Sequence, residues 1–212
     1  MKPTFENLSE KKKMRIIGAC VREFGENGYS AGSLDRLIKR AGISKGGLYE
    51  YVSSKEELFL FTVEFGYSTL YAYLNRRIKD ENRDLQPDLL ARLRHVAELA
   101  IDFYLDQPEI IHLIVRTSHL PDDKIAGEVS GIFVKHFYDL FGDIGTEGLR
   151  YPKERVLELA MWLLQKTRLD FLEELKKETD SDKIKKDYRN NWDFYLGIME
   201  SGIRSGQAPP GV

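Results

Sequence analysis

The sequence contains a single cysteine, Cys20, among its 212 residues, so no disulfide can form within the chain. Cys20 falls on an apolar helical stripe, where a small buried side chain is a simpler interpretation than a reactive thiol. No run approaches the roughly 18 apolar residues of a membrane span, and the polar, basic N-terminus lacks the apolar core of a signal peptide. We therefore expect a cytoplasmic protein that does not enter a membrane.

Signatures of catalysis are also missing. The sequence shows no nucleophile–base pattern, no glycine-rich phosphate loop and no metalloenzyme motif. Its four histidines have no carboxylate or cysteine at a recognisable ligand spacing. We therefore expect neither an enzyme nor a protein that holds a cofactor or a metal.

Alternating β-patterns and hairpin turn pairs are absent as well, whereas helical periodicity runs through the whole chain. The sequence predicts an all-α fold of about nine helices. Their expected positions are a first helix ending at Gly25 or Gly28, and then 33–40, 44–51, 54–79, 87–106, a helix from 108, 121–142, 152–178 and 181–204. The final residues, SGQAPPGV, read as coil.

A break near residue 53 separates a head of short helices, residues 1–53, from a body of long helices, residues 54–212. Residues 1–55 carry 11 Lys/Arg against 6 Asp/Glu, whereas residues 56–212 carry 21 against 28. The two parts therefore have net charges of +5 and −7, which suggests that the head meets a polyanion. Solvated surface charge could produce the same difference.

The head contains two short helices joined by a glycine turn, with a lysine opening the second, which is typical of a helix-turn-helix. The stretch MRIIGACVREFGENGYSAGSLDRLIKRAGISKGGLYEYVSSKEELF resembles the N-terminal domain of the TetR family of bacterial transcriptional regulators. The matching residues are Phe24-Gly25-x-x-Gly28-Tyr29, Ala41 to Gly46, Leu48-Tyr49-x-Tyr51 and Ser54-Lys55-Glu56-x-Leu58. The resemblance covers about residues 11–60, and beyond it only the plan of long helices is shared.

This resemblance implies that residues 1–53 bind double-stranded DNA and that the helix at 44–51 is the recognition helix. The implied DNA contacts are Ser33, Ser44, Lys45, Gly46, Gly47, Tyr49, Tyr51 and Lys55. Glu50 departs from the family's pattern and is a further candidate contact. In this interpretation Tyr49, Tyr51 and Lys55 contact phosphate, and the paired glycines let the backbone approach the bases.

Plainer interpretations of these residues stay open. The glycines could be a packing notch, the tyrosines half-buried and the lysines solvated. Glu50 could be a solvated surface residue or could read a cytosine amino group.

The body is expected to bind a small-molecule effector and to form a homodimer. Aromatic and histidine side chains would suit an apolar pocket with a polar lip, although ordinary core and surface roles are the alternative for each. The candidates are Phe61, Phe65, Phe103, Tyr104, His112, Arg116, His119, Phe133 and Phe137.

The last two helices carry apolar residues that would suit a dimer interface, with a core within one chain as the alternative. The candidates are Leu157, Met161, Leu164, Trp192, Tyr195 and Met199. The leading hypothesis is a homodimeric repressor that a largely apolar effector releases from a palindromic operator. The alternative is an architectural or co-regulatory DNA-binding protein whose body binds another protein and no effector.

Overall fold

The computed structural model describes residues 1–81, 87–117, 120, 123–145 and 147–203. Over these residues the chain forms ten helices and no β-strand, which confirms the all-α prediction. The helices are α1 (Pro3–Glu6), α2 (Glu10–Ala31), α3 (Leu34–Ala41), α4 (Lys45–Tyr49), α5 (Lys55–Asp80), α6 (Leu89–Asp106), α7 (Pro108–Arg116), α8 (Asp123–Phe141), α9 (Lys153–Leu175) and α10 (Ser181–Ile203). The short helix α1 was not predicted; the other nine correspond to the predicted helices.

Local capping chemistry sets several of these boundaries. The Ser54 hydroxyl accepts the backbone N–H of Glu57 at 3.0 Å, and the Glu57 carboxylate accepts the N–H of Ser53 at 2.6 Å. This is a variant of the capping box expected before α5, because the Glu57 carboxylate reaches the N–H of Ser53 and not that of Ser54. At the end of α3, Gly42 has φ 60°, a left-handed conformation that glycine adopts without strain.

Helix α2 is interrupted at Gly28, whose φ is 68° and ψ −172°. The predicted helix end at Gly25 or Gly28 therefore corresponds to a kink at Gly28, and helical hydrogen bonding resumes up to Ala31. At Gly25 the absence of a side chain serves close packing and not a change in backbone direction. A β-carbon there would lie 3.3 Å from the Leu113 backbone nitrogen, so glycine allows α7 to pack closely on α2.

The packing divides the chain into two compact units, which we call the first unit (Met1–Thr69 with Gln107–Val134) and the second unit (Leu70–Asp106 with Lys135–Val212). Helices α5 and α8 contribute residues to both units. The predicted division at residue 53, between a DNA-binding head and an effector-binding body, differs from these two units and stays a prediction.

The core of the first unit joins the head helices to the start of α5 and to α7. Phe24 and Phe59 meet edge to face with ring centroids 5.1 Å apart. Cys20 is buried in the same unit near Thr62, and burial raises the pKa of its thiol to about 12. This agrees with the interpretation of Cys20 as a small core side chain.

In the second unit, α10 packs on α6 and α9. Tyr104 of α6 lies at the centre of an aromatic cluster, with ring centroids 5.4 Å from Phe171 and 6.0 Å from Tyr188. Its hydroxyl accepts a hydrogen bond from Nε of the buried Arg168 at 3.1 Å. Among the described residues, no helix combines the length and apolarity needed to cross a membrane.

Candidate nucleic-acid interface

The helix-turn-helix is formed by α3, the turn at Gly42 and α4, the predicted recognition helix. Leu37 and Ala41 of α3 and Leu48 of α4 are fully buried, so the two helices share one core. The Ser44 side chain caps α4 by accepting the N–H of Gly47 at 3.0 Å. The cap, the turn and the buried Leu48 fix which face of α4 points away from the protein.

The outward face of α4 carries Lys45, Gly46, Tyr49 and Glu50, all of which are exposed. Among the described residues, and leaving aside the backbone of its own helical turn, no heavy atom lies within 4 Å of a β-carbon built on Gly46, and Gly46 does not have a positive φ. Neither packing nor backbone conformation therefore requires glycine at this position. Gly47 differs, since a β-carbon there would lie 3.1 Å from the Ser44 hydroxyl oxygen and crowd the helix cap.

Charged side chains on α3 and α4 face one another at this surface. The Lys45 ammonium lies 3.5 Å from the Asp35 carboxylate, and both side chains are largely exposed. Exposed pairs of this kind contribute about 0–1 kcal/mol, so DNA phosphate could replace Asp35 as the partner of Lys45 at little cost. Ser33, another predicted contact, caps α3 by accepting the N–H of Arg36 at 3.3 Å.

The two predicted phosphate-binding tyrosines differ in position. Tyr49 is exposed, whereas Tyr51 is only 9% exposed and its ring packs edge-on against Phe5. The Tyr51 hydroxyl accepts a hydrogen bond from the Lys12 ammonium at 3.1 Å. A phosphate contact by Tyr51 would have to use this hydroxyl together with Lys12, and it stays a prediction.

Lys55 lies in the first turn of α5, beside the end of α2. Its ammonium donates to the Ser30 carbonyl at 3.2 Å and lies 4.9 Å from the centroid of the Tyr29 ring. Partial burial lowers the pKa of Lys55, and the nearby Arg36 guanidinium acts in the same direction. An approaching phosphate would oppose this shift by stabilising the ammonium form.

An ion pair that was not predicted holds α2 to α3. The Glu23 carboxylate is fully buried and accepts hydrogen bonds from the Arg36 guanidinium at 2.6 Å and from the Ser33 N–H at 2.8 Å. Burial acts to raise the pKa of Glu23, but these bonds outweigh it and the net pKa is lowered. In the sequence, this ion pair is indicated only by a glutamate on an otherwise apolar helical stripe and an arginine 13 residues later.

The predicted effector-pocket residues are divided between the two units. In the first unit, Phe61 and Phe65 are half-buried, Phe133 is buried, His112 is half-buried and Arg116 is exposed. In the second unit, Phe103, Tyr104 and Phe137 are buried against other aromatic rings. His119 lies outside the described residues. The pocket therefore stays a prediction.

The predicted dimer residues lie on α9 and α10 of the second unit. Leu157, Leu164 and Trp192 are almost completely buried within that unit, so they have little surface to offer a second copy. Met199 is also buried, while Met161 and Tyr195 are half-buried.

The large apolar side chains that α9 and α10 expose most are not the predicted dimer residues. Trp162, Phe194 and Ile198 are 56%, 63% and 59% exposed, and they line an apolar groove of about 480 Å³. Tyr195 and Met199 also line this groove, which we call the α9–α10 groove. The predicted dimer residues and this exposed apolar stripe lie on the same two helices, and the dimer interface stays a prediction.

Within the described ranges, no group of three or more His, Cys, Asp or Glu side chains could hold a metal ion.

The fold and the exposed second helix of the motif define a helix-turn-helix protein with a helical body. Residues 16–60 match the sequence model of the bacterial regulatory proteins of the tetR family. Over these residues the chain is similar to this family.

Two curated relatives and one solved structure show the range of similarity. The chain is 26% identical over 120 residues to the HTH-type transcriptional activator FasR of Mycolicibacterium smegmatis, covering 57% of this chain and 52% of that protein. It is also 26% identical over 139 residues to a fatty acid metabolism regulator protein of Bacillus subtilis, covering 66% and 69%.

The chain's fold is similar to that of the transcriptional regulator FadR from Bacillus subtilis, crystallised in complex with stearoyl-CoA. The TM-score is 0.68 at 16% identity, covering 90% of this chain and 99% of that one. A structural likeness at this identity establishes the fold. The aligned part of this chain spans about half the length of FasR.

Proposed function

We propose that the chain is a homodimeric transcriptional repressor that a small, largely apolar effector releases from a palindromic operator. The observation that carries the proposal is the outward face of α4 in a head matching the tetR family. Lys45, Gly46 and Tyr49 are exposed there while Leu48 is buried. An exposed helix with a bare backbone and a lysine in its first turn suits the major groove of DNA.

The bare surface at Gly46 supports a DNA-facing role most directly. A glycine in a helix interior destabilises it by roughly 0.5–1 kcal/mol relative to alanine, and no described residue fills the space at Gly46. Close approach of DNA would explain why residue 46 is a glycine, whereas contacts among the described residues do not. Lys45, in the first turn of α4, and Lys55, in the first turn of α5, would then neutralise phosphates.

The α9–α10 groove supports the dimer. Trp162, Phe194 and Ile198 expose large apolar surfaces, and aromatic residues of this kind are enriched at interface cores. A two-fold dimer presents two α4 helices to DNA, which requires a palindromic site with half-sites about 34–36 Å apart.

The packing of α7 on α2 gives effector binding a route to the head. The two helices are held together by the close approach at Gly25 and by a 2.9 Å ion pair between Arg22 and Glu109. His112 and Arg116, two of the predicted effector residues, lie on α7 itself. An effector that favours one position of α7 would therefore favour one position of α2.

The chemistry of the effector is proposed from a relative. FadR of Bacillus subtilis was crystallised with stearoyl-CoA, an acyl thioester with a long apolar chain and an anionic head. The aromatic side chains and the Arg116 guanidinium on α7 suit the same two chemical features. We propose a long-chain acyl compound as the class of effector.

The test begins with a duplex selected by the purified chain from a randomised library, which we call the selected duplex. Stearoyl-CoA is then added, with acetyl-CoA as the control that lacks the long chain. We expect stearoyl-CoA to weaken binding about 5- to 150-fold, the range of ordinary allosteric coupling, and acetyl-CoA to have little effect. Deletion of the gene should raise transcription next to genomic copies of the selected sequence.

Other results would decide against parts of the proposal. If no duplex is enriched, the DNA-binding function fails. If a duplex is enriched but neither acyl-CoAs nor fatty acids change its affinity, the alternative regulator without an effector is favoured. The α9–α10 groove would then be examined as a surface for a different protein.

A further inference from the structure

The recognition helix α4 is too short to hold its own shape. It has five residues, two of them glycine, and isolated helices of this length are unstable in water. Its stability must therefore come from contacts with other parts of the head. The N-terminal segment before residue 16, outside the part that matches the family, supplies several of these contacts.

The backbone carbonyls at the end of α4 show where the contacts fall. Inside the turn, the Gly46 carbonyl accepts the N–H of Glu50 at 3.1 Å, and the Leu48 carbonyl accepts that of Tyr51 at 2.9 Å. The next three carbonyls, those of Tyr49, Glu50 and Tyr51, point beyond the helix and need donors from elsewhere.

All three receive a donor from residues 2–4. The Lys2 ammonium donates to the Tyr49 carbonyl at 2.7 Å, and the Lys2 backbone N–H donates to the Tyr51 carbonyl at 2.8 Å. The Thr4 hydroxyl donates to the Glu50 carbonyl. These carbonyls belong to the residues that end the proposed DNA-reading surface.

An apolar anchor fixes the same segment. Phe5 is only 2% exposed, and its ring packs edge-on between Tyr51 at 6.0 Å and Phe61 of α5 at 5.6 Å. Burial of a phenylalanine side chain stabilises a fold substantially and holds this short segment in place. The polar donors of Lys2 and Thr4 are therefore held at the end of α4.

We propose that Lys2, Thr4 and Phe5 form an N-terminal clamp that positions the recognition helix and thereby sets sequence discrimination. The clamp rests on the proposed DNA-binding function. Lys2 and Thr4 act through the backbone of Tyr49 and Glu50, so they are positioning residues. Releasing them should let the end of α4 fray, misplacing the side chains that meet bases while phosphate contacts elsewhere persist.

The first measurement needs no DNA. In the free chain, Lys2→Ala and Thr4→Val are expected to accelerate amide hydrogen exchange at residues 48–52 at least tenfold. Exchange in α9 and the midpoint of urea unfolding should change little. The conservative variants Lys2→Arg and Thr4→Ser should restore slow exchange. Unchanged exchange at residues 48–52 would overturn the clamp.

The second measurement compares the selected duplex with a random duplex of equal length. We expect Lys2→Ala to weaken binding to the selected duplex about five- to tenfold, since one hydrogen bond to a charged group is lost, and to the random duplex less than twofold. The salt dependence should stay the same. Lys11→Ala, which removes an exposed lysine of α2, is the charge-matched control.

The opposite pattern would assign Lys2 a different role. If Lys2→Ala weakens both duplexes equally and lowers the salt dependence by about one phosphate, Lys2 contacts DNA directly and the clamp is overturned. If no duplex can be selected, the proposed function fails, and the exchange measurement alone decides whether the clamp exists.

Discussion

The Arg36 guanidinium lies 2.6 Å from the Glu23 carboxylate, which has no exposed surface. Through this pair and the bond from the Ser33 N–H to Glu23, the first residues of α3 are fastened to α2. The orientation of the helix-turn-helix thus depends on one buried charge with a half-exposed partner.

Removing Arg36 should destabilise the fold more than neutralising Glu23. Arg36→Ala leaves a buried carboxylate without its main partner, so we expect a loss of about 2 kcal/mol in the free energy of unfolding. Glu23→Gln keeps an acceptor for Ser33 and should cost about 1 kcal/mol. Urea unfolding at pH 7 measures both, with Lys39→Ala on the exposed side of α3 as the control. Equal losses in all three variants would contradict the assignment.

The same pair predicts how stability depends on pH. The pKa of Glu23 is lower in the folded chain than in the unfolded chain, so its contribution is complete above the ordinary glutamate pKa of about 4.3. It is lost as the pH falls from there through the folded value. Unfolding free energies of the unmodified chain should therefore decline below about pH 4.3 more steeply than those of Glu23→Gln. Parallel curves would show that other carboxylates control the decline.

Gly46→Ala separates helix stability from DNA binding. The added β-carbon would contact no neighbouring side chain in the part of the chain that the structure describes, so the free energy of unfolding should stay the same or rise by about 0.5–1 kcal/mol. Binding to the selected duplex should fall at least tenfold, because the methyl group occupies the surface that meets DNA. Gly127→Ala in α8, where a β-carbon also meets open space, is the matched control. Intact binding would show that Gly46 is not at the interface.

Lys55→Ala tests the predicted phosphate contact at the start of α5. We expect weaker binding to the selected and random duplexes alike, with the slope of log K against log salt reduced by about 0.9, the value for one phosphate. Lys79→Ala, exposed near the other end of α5, should leave the slope unchanged. An unchanged slope in Lys55→Ala would mean that the ammonium serves only Ser30 and Tyr29.

Phe194→Asp tests the dimer. Phe194 lines the α9–α10 groove, so a carboxylate there would lose its water on association. The dissociation constant of the proposed dimer should therefore rise at least a hundredfold. Sedimentation at several concentrations measures it, and Tyr138→Thr at an exposed ring of α8 is the control. A dimer of unchanged strength would place the interface elsewhere.

Features set by neighbouring residues could be predicted from the sequence. The caps at Ser33, Ser44 and Ser54 and the turn at Gly42 depend on hydrogen bonds and dihedral angles within a few residues. The outward face of α4 followed from these caps together with the family resemblance.

Features that join distant segments could not be predicted. Phe5 and Tyr51 are 46 residues apart, and nothing local indicates that they touch. In α9, Leu157 and Trp162 are both apolar, and only tertiary packing decides that Leu157 is buried and Trp162 exposed. The assignment of the predicted pocket residues to two different units likewise depends on tertiary contacts, which the sequence pattern does not show.

The buried thiol of Cys20 makes the chain convenient for spectroscopy. With a pKa of about 12 and almost no accessible surface, it will not react with maleimide reagents at neutral pH. A cysteine introduced in place of the exposed Lys39 would then be the only thiol to take a label. In the proposed dimer, spin labels at this position on both copies could report the spacing of the two heads directly, with and without an acyl-CoA, in the natural background of the protein.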